Sequence, residues 1–391
     1  MNIPENHLHK LIDGLTYSNA CLALYRLPWK EQPVLVLQRE GNPDTYARLQ
    51  DLNGKTGFVL APFHADNRQP IVLIRPDRVA KGWPEIKETL ADWESASEAM
   101  TPPNNDTAYA KDSRRAYAEA FSRFITPLRQ GIFQKLVLAR SEDMDLPAGF
   151  SPLATFINAC NNYPRMMISL VHTPVTGTWI GSTPEIILSE EQDRWHTVSL
   201  AGTMPVVNEG MPEEWGTKNR EEQALVSTYL RETLQSIGAD VKEEGPYTAR
   251  AGQVMHLKTD FYFHMDRTTH LGDVLHQLHP TPAVCGLPKQ AAYDFILQNE
   301  GHNRSYYAGI IGWLNPDDGQ TALYVNLRCM HLSDGKATLY AGGGILPSSV
   351  EELEWEETRH KMETIRKAVI TTNRYLSCSQ IKKASCNWPH S

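Results

Sequence analysis

The chain has 391 residues, 41% of them hydrophobic and 21% charged, which is the composition of a folded protein and not of a disordered one. Its formal net charge of -8 argues against non-specific binding to nucleic acid or to an anionic membrane, and requires that any anionic substrate be held by locally placed cations. At ~150 residues per domain the length admits two or three domains or one large unit.

In chain order, residues 1–105 present short apolar runs bounded by Pro, Gly, Asn or Asp; Leu22–Tyr25, Val34–Leu37, Gly57–Ala61 and Ile71–Ile74 read as strands. Residues 91–106 are polar, end in Thr101-Pro102-Pro103-Asn104-Asn105-Asp106, and read as a linker or as a surface loop inside one fold. Tyr117, Phe121, Phe124 and Leu128 recur at 4-3-4 spacing, the stripe of a helix that Gly131 ends. Strands are expected over 135–140, 165–172, 177–180, 185–189 and 197–201, and their short connections favour antiparallel pairing. Residues 219–237 read as a helix with Leu225, Val226, Tyr229 and Leu234 on its apolar face. Residues 324–332 and 336–341 read as a hairpin around Ser333-Asp334-Gly335. Residues 348–370 form a last helix, with Ser348 or Ser349 as candidate cap and Glu351 or Glu352 three residues on. The polar tail 377–391 is expected to fray. The pattern is α+β, with large antiparallel sheets and helices outside.

Cys21, Cys160, Cys285, Cys329, Cys378 and Cys386 are dilute and form no close Cys-x-x-Cys pair, so they read as free thiols in a reducing compartment. The opening MNIPENHLHKLIDG lacks a basic segment followed by an apolar run, and no apolar stretch nears the ~18 residues of a membrane span, so a cytoplasmic protein is expected.

Several residues point to chemistry. Lys135 interrupts the apolar run 134–140; it is either a solvent-facing lysine on a half-exposed strand or a lysine held in a cleft, desolvated so that it can act as a base. Glu185, behind Gly181-Ser182-Thr183-Pro184, either closes a turn or is a carboxylic acid kept partly protonated by burial. Glu222 lies three, four and seven residues before Leu225, Val226 and Tyr229, on an inward face where it needs an arginine, a backbone amide or a metal. Glu354, Glu357 and Lys361 share one face of the last helix, which by itself reads as solvated. Two helices that each bring a carboxylate near an inward face suit Mg2+, with water and substrate completing the shell. Ala341-Gly342-Gly343-Gly344-Ile345 is either a tight turn or a run whose amides approach an anion. Arg328 can pair bidentately with a carboxylate or be structural, and His256 and His279 read as structural from pattern alone. No Cys/His metal spacing, Walker loop, G-x-G-x-x-G or G-x-S-x-G is present.

Six segments occur in order: Leu200-Ala201-Gly202-Thr203, His256-Leu257-Lys258-Thr259, Leu278-His279-Pro280-Thr281-Pro282-Ala283, Arg304-Ser305-Tyr306-Tyr307-Ala308-Gly309, Ala341-Gly342-Gly343-Gly344-Ile345 and Glu354-Trp355-Glu356-Glu357-Thr358. Together they resemble the chorismate-utilising enzymes: isochorismate synthases, salicylate synthases, anthranilate synthase and aminodeoxychorismate synthase. The resemblance runs from Ala116 to Ile370, and residues 1–105 match loosely. It implies one unit of two stacked antiparallel sheets with peripheral helices, a single catalytic domain over 1–376 that includes the N-terminal part.

The resemblance also assigns roles. Water-using members carry a lysine where ammonia-using members carry glutamine, and here that residue is Lys135; aminodeoxychorismate synthases carry a nucleophilic lysine where this chain has Ala201. Both imply water as nucleophile. Glu185 is then the general acid, Glu222 and Glu357 bind Mg2+, and Arg328, Gly342 and Lys361 hold substrate carboxylates, with Gly202, Thr203 and His256 also at the substrate. Two departures stand out: Gln223 replaces the histidine of many members, and the adjacent acids Glu221-Glu222 leave room for a metal ligand one position earlier. The expectation is a monomeric isochorismate synthase acting on chorismate without an obligatory protein partner. The alternatives are a salicylate synthase, which adds loss of pyruvate, an ammonia-using synthase, and a non-catalytic chorismate-binding regulator. Nothing in the chain chooses between menaquinone and siderophore biosynthesis as the use of the product.

Overall fold

The computed structural model describes residues 6–91, 113–191, 194–206, 214–266, 270–315, 320–333 and 335–370. The candidate linker from residue 92 onward, Asp334 of the expected hairpin turn and the tail 377–391 lie outside the described residues.

The helices are α1 Asn6–Leu15, α2 Trp83–Ala91, α3 Ser113–Arg129, α4 Pro152–Asn162, α5 Thr217–Ile237, α6 Leu271–Leu278, α7 Lys289–Asn299 and α8 Glu351–Arg366. The first strands are β1 Cys21–Arg26, β2 Val34–Gln38, β3 Asp44–Tyr46, β4 Gly57–Ala61, β5 Ile71–Ile74 and β6 Arg78–Lys81. The middle strands are β7 Lys135–Asp145, β8 Met167–Thr173, β9 Gly177–Thr183, β10 Ile186–Glu191, β11 Arg194–Pro205, β12 Ala239–Ala251 and β13 Val254–His264. The last are β14 Gly286–Leu287, β15 Ile310–Leu314, β16 Ala322–Val325, β17 Cys329–Ser333 and β18 Lys336–Ile345.

They build two nine-stranded sheets, ordered β14-β7-β18-β17-β9-β8-β1-β2-β6 and β12-β13-β11-β10-β16-β15-β4-β5-β3. The α+β class read from the sequence is the one observed. The first strands are divided between the sheets: β1, β2 and β6 extend one, and β3, β4 and β5 extend the other. Alternation within β1 shows how the layers form. Cys21, Ala23 and Tyr25 enter the apolar core that both sheets share. Leu22 and Leu24 enter a second core, with Phe156 and Ile157 of α4 and Met362 and Ile365 of α8. A strand buried on both faces reads as an unbroken apolar run, which is how these segments looked in sequence.

Four expectations need correction. Residues 324–332 are not one strand: β16 ends at Val325 in one sheet, β17 starts at Cys329 in the other, and 326–328 cross between them. Arg328 takes a left-handed φ of 46° at that crossing. The buried face of α5 consists of Glu222, Gln223, Val226, Ser227, Leu230 and Leu234, while Leu225 and Tyr229 are only half-buried. The face is rotated because the helix packs on β11, whose polar edge groups are met by Gln223 rather than by an apolar side chain. The expected cap on α8 does not form: Ser349 Oγ accepts from Leu346 N, and Arg114 of α3 takes Glu351 and Glu352. Finally, the glycine run is no turn. It lies inside β18, paired with β7 from Ile345↔Leu136 to Gly342↔Ala139.

Candidate active site

Lys135 opens β7, beside the two-residue strand β14. Its side chain has 0% exposure, and its Nζ stands 3.0 Å from Glu222 Oε1 on α5. The half-exposed strand is therefore not its setting. Apart from that ion pair, Lys135 Nζ has no hydrogen-bond partner among the described residues. Gly344 makes the approach possible, since a Cβ there would stand 2.0 Å from Glu222 Oε1 and 2.9 Å from Lys135 Cε. The glycines of β18 thus make room for side chains.

Glu222 lines a cavity whose walls come from both sheets, together with Glu185, Gly202, Thr203, His256, Arg328, Gly342 and Lys361. Glu221 is exposed, so of the two adjacent acids Glu222 is the one facing the cavity. Burial pushes the Glu222 carboxyl up, but Lys135, Lys218 and Lys361 outweigh it and hold the group below its ordinary value.

Glu185 stands just before β10 with its backbone fixed on both sides. Its carbonyl accepts from Val325 N at 2.9 Å, and its N–H donates to Thr183 Oγ1 at 3.3 Å. Thr281 Oγ1 donates to Glu185 Oε1 at 3.5 Å. Burial raises the Glu185 carboxyl from 4.5 to about 7, against the pull of Lys135, Lys361 and Arg328. Near neutral pH a substantial fraction of it is therefore the carboxylic acid, able to donate.

In the same cavity, His256 Nδ1–H donates to Gly202 O at 3.0 Å, and His256 Nε2 accepts from Arg328 Nη2. Burial and then Arg328 and Lys361 depress the imidazole well below its ordinary value, so it is neutral and serves as a brace for the guanidinium. Arg328 Nη1 donates to Ala251 O at 2.5 Å, and its Nε is buried without a partner among the described residues. Burial brings Arg328 down to about 10, still a cation at neutral pH. Gly202 sits at φ 68°, next to the register shift between Ala201 and Thr203. Gln223, the departure noted in sequence, fixes that strand: its Oε1 accepts from Ala201 N at 3.0 Å and its Nε2 donates to Ser199 O at 3.2 Å.

From α8, Lys361 Nζ donates to Gly342 O at 2.8 Å and pairs with Glu357 Oε1 at 2.7 Å. Glu354, one turn earlier, pairs with Lys218 Nζ at 2.6 Å, and its Oε2 is buried without a hydrogen-bond partner among the described residues. Burial, and then Glu357, raise the Glu354 carboxyl to about 7. Burial works against the Lys218 ammonium, but Glu357, Glu222 and Glu354 hold it above its ordinary value.

This donor set bears on a metal. Among the described residues no three such groups already converge as a cage; each glutamate is turned to a lysine. The chemistry nevertheless fits a hard cation. The donors are carboxylate oxygens, one of them buried and unpartnered among the described residues, and a Cβ on Gly343 would stand 3.2 Å from Glu357 Oε1 and 3.6 Å from Glu354 Oε2. A divalent ion held by one or two carboxylates, with substrate and water completing the shell, is the arrangement Mg2+ takes.

The sequence missed Lys218, Thr281 and two cavity tyrosines, Tyr307 and Tyr340, whose rings stack with centroids 5.6 Å apart. Lys218 lies four residues before Glu222 on one helix, a spacing that could have marked it. Thr281 and Tyr307 lay within the segments of the ordered set, whereas nothing in the pattern singles out Tyr340.

A family model described as chorismate binding enzyme matches residues 71–370. The isochorismate synthase EntC of Escherichia coli (strain K12) is 30% identical over 204 residues, which is 50% of this chain and 52% of that protein. The match thus spans about half the length of that relative. The putative isochorismate synthase MenF of Mycobacterium tuberculosis (strain ATCC 25618 / H37Rv) is 28% identical over 340 residues, 81% of this chain and 87% of that protein. Among solved structures, the menaquinone-specific isochorismate synthase MenF from Escherichia coli superposes with a TM-score of 0.73 at 21% identity, covering 91% of this chain and 90% of that one. DhbC from Bacillus anthracis, described as a putative 2,3-dihydroxybenzoate-specific isochorismate synthase, gives 0.71 at 21% identity, covering 93% and 99%. At that identity the likeness is one of fold.

Proposed function

Since the chain belongs to the chorismate-binding enzyme family, we propose that it converts chorismate to isochorismate, with water as nucleophile. The observation that carries this reading is a buried lysine, Lys135, where an ammonia-using relative would have an amide, at the same site as a carboxylic acid poised near neutrality, Glu185.

In this mechanism Lys135, as the free amine, takes a proton from water as the water oxygen bonds to ring carbon 2. The ring double bonds shift, the bond from carbon 4 to its hydroxyl breaks, and Glu185 supplies the proton with which that oxygen leaves as water. One water enters and one departs, so the change is an isomerisation. Glu222 is the ion-pair partner of Lys135 in the substrate-free protein, and the reaction proceeds from molecules in which Lys135 has given up its proton. Arg328, braced by His256, and Lys361 supply the cations that an acidic protein must place locally for a dicarboxylate. Mg2+, held by Glu222 and Glu357 with Glu354 beside them, would neutralise a substrate carboxylate and orient the ring. Each proton-transfer group contributes on the order of 10²–10⁴ in rate.

The test is chorismate with the purified protein, with and without Mg2+, and separation of the products. Isochorismate alone supports the reading. Salicylate with pyruvate would instead make it a salicylate synthase, and an aminated product formed only with ammonium would overturn the choice of nucleophile.

A further inference from the structure

The strand that carries Lys135 is an edge with too short a neighbour. β14 pairs with β7 only at Gly286↔Leu136 and Leu287↔Lys135; one flanking bond runs from Gln134 N to Leu287 O at 2.9 Å and another from Val137 N to Cys285 O at 2.7 Å. Beyond the Val137 bond, the outer edge of β7 would expose Val137 O and Ala139 N inside the protein, a costly vacancy for backbone groups. Two side chains close it. Glu300 Oε1 accepts from Ala139 N at 2.7 Å, and Arg304 Nη2 donates to Val137 O at 2.9 Å. The two are themselves paired, Arg304 Nε to Glu300 Oε2 at 2.6 Å, with side chains 3% and 2% exposed.

Arg304 reaches a second strand end as well. Its Nη1 donates to Val284 O at 2.7 Å. Val284 ends the turn that begins at Thr281, the residue that hydrogen-bonds Glu185, and Val137 and Val284 both line the catalytic cavity. One planar guanidinium therefore spans the segment bearing the base and the segment that meets the acid. Its fork has a fixed geometry, so it sets their separation in a way a point charge would not. We propose that Glu300 and Arg304 are positioning residues for this reaction, holding Lys135 and the Thr281 turn in register across the cavity. The inference rests on Lys135 and Glu185 being the proton carriers.

The substrate-holding cations Arg328 and Lys361 lie on other elements, so the pair should affect turnover more than binding. Arg304→Lys keeps the charge opposite Glu300 but lacks the rigid fork whose separate nitrogens meet Val284 O, Val137 O and Glu300 at once. The expected result is a folded enzyme whose kcat falls about 10- to 100-fold while KM for chorismate stays within about threefold. Glu300→Asp, which keeps the charge and withdraws the acceptor from Ala139 N, should show the same split, and it serves if the arginine variant does not fold. A folded variant with kcat within about twofold of the parent overturns the proposal. So do kcat and KM that change together, or the failure of both variants to fold, because the pair is then structural. A parent enzyme inactive on chorismate would sink the proposed function instead, and the two failures are told apart by that control.

Discussion

Lys135 Nζ and Glu222 Oε1 stand 3.0 Å apart, so the group assigned to take a proton from water and a carboxylate assigned to the metal are each other's counter-ions. Lys135→Gln should abolish isochorismate formation, by on the order of 10²–10⁴, with substrate binding largely retained, because glutamine keeps polarity but takes no proton. Initial rates and substrate binding measure it. Near-normal turnover would place the base elsewhere.

Glu185→Gln tests the acid. The hydroxyl on carbon 4 leaves poorly unless protonated, and glutamine can hydrogen-bond but not transfer the proton. Microscopic reversibility requires the same residues in exchanged roles for the return reaction. Forward and reverse rates should therefore fall together, with the equilibrium ratio unchanged, when product formation is followed from each side. A reverse reaction that stays fast while the forward one fails would remove Glu185 from the mechanism.

The raised Glu185 carboxyl gives a pH dependence with a definite sign. The forward reaction needs the acid form of Glu185 as well as the free amine of Lys135, so Glu185 contributes a falling limb through about 7 to the pH–rate profile, and that limb should be missing from Glu185→Gln. Stability follows the same group. Between 4.5 and about 7 the folded state holds a proton at Glu185 that the unfolded chain has lost, so stability falls as pH rises through that window. Glu354 shares the window, which makes the informative quantity the difference between parent and Glu185→Gln in denaturant unfolding at a series of pH values. The parent should lose stability relative to the variant as pH rises; the opposite slope contradicts the assignment.

Chelation should remove activity and Mg2+ should restore it, since the carboxylates around Gly343 and Gly344 otherwise face an anionic substrate. Glu222→Ala and Glu357→Ala should each cut turnover in a protein that still folds, whereas Glu221→Ala should not. Full turnover in excess chelator would refute the metal reading, and an effect confined to Glu221→Ala would shift the ligand by one residue.

Gly344→Ala should damage the site more than Gly343→Ala. The first places a methyl 2.0 Å from Glu222 Oε1, and the second places one 3.2 Å from Glu357 Oε1. Turnover and thermal melting of the two variants compare them directly, and equal activity would mean that the room beside Lys135 is not needed.

Much of this was legible in the sequence because it rests on short-range pattern or on an ordered set of segments. The α3 stripe from Tyr117 to Leu128 is buried as its spacing required. What failed depended on distant partners. Glu351 and Glu352 serve Arg114, more than two hundred residues away, instead of a local capping box. The inward face of α5 is set by the polar edge of β11, which hydropathy along the helix does not reveal. The 324–332 run is apolar on both sides of its break because both sheets are buried, so composition does not show the chain leaving one sheet for the other.

That crossing has a consequence for how the protein is assembled in time. Arg328 lies between β16 and β17, strands of different sheets, and its left-handed φ of 46° costs on the order of 1 kcal/mol that only the finished surroundings offset. Neither sheet alone gives the guanidinium an address. Its brace His256 and the strand bearing Lys135 also arrive from far along the chain, and long-range closures of this kind form late. The cavity around Arg328 is thus expected to be among the last features to mature. On refolding from denaturant, recovery of substrate binding should trail the far-ultraviolet signal of the sheets.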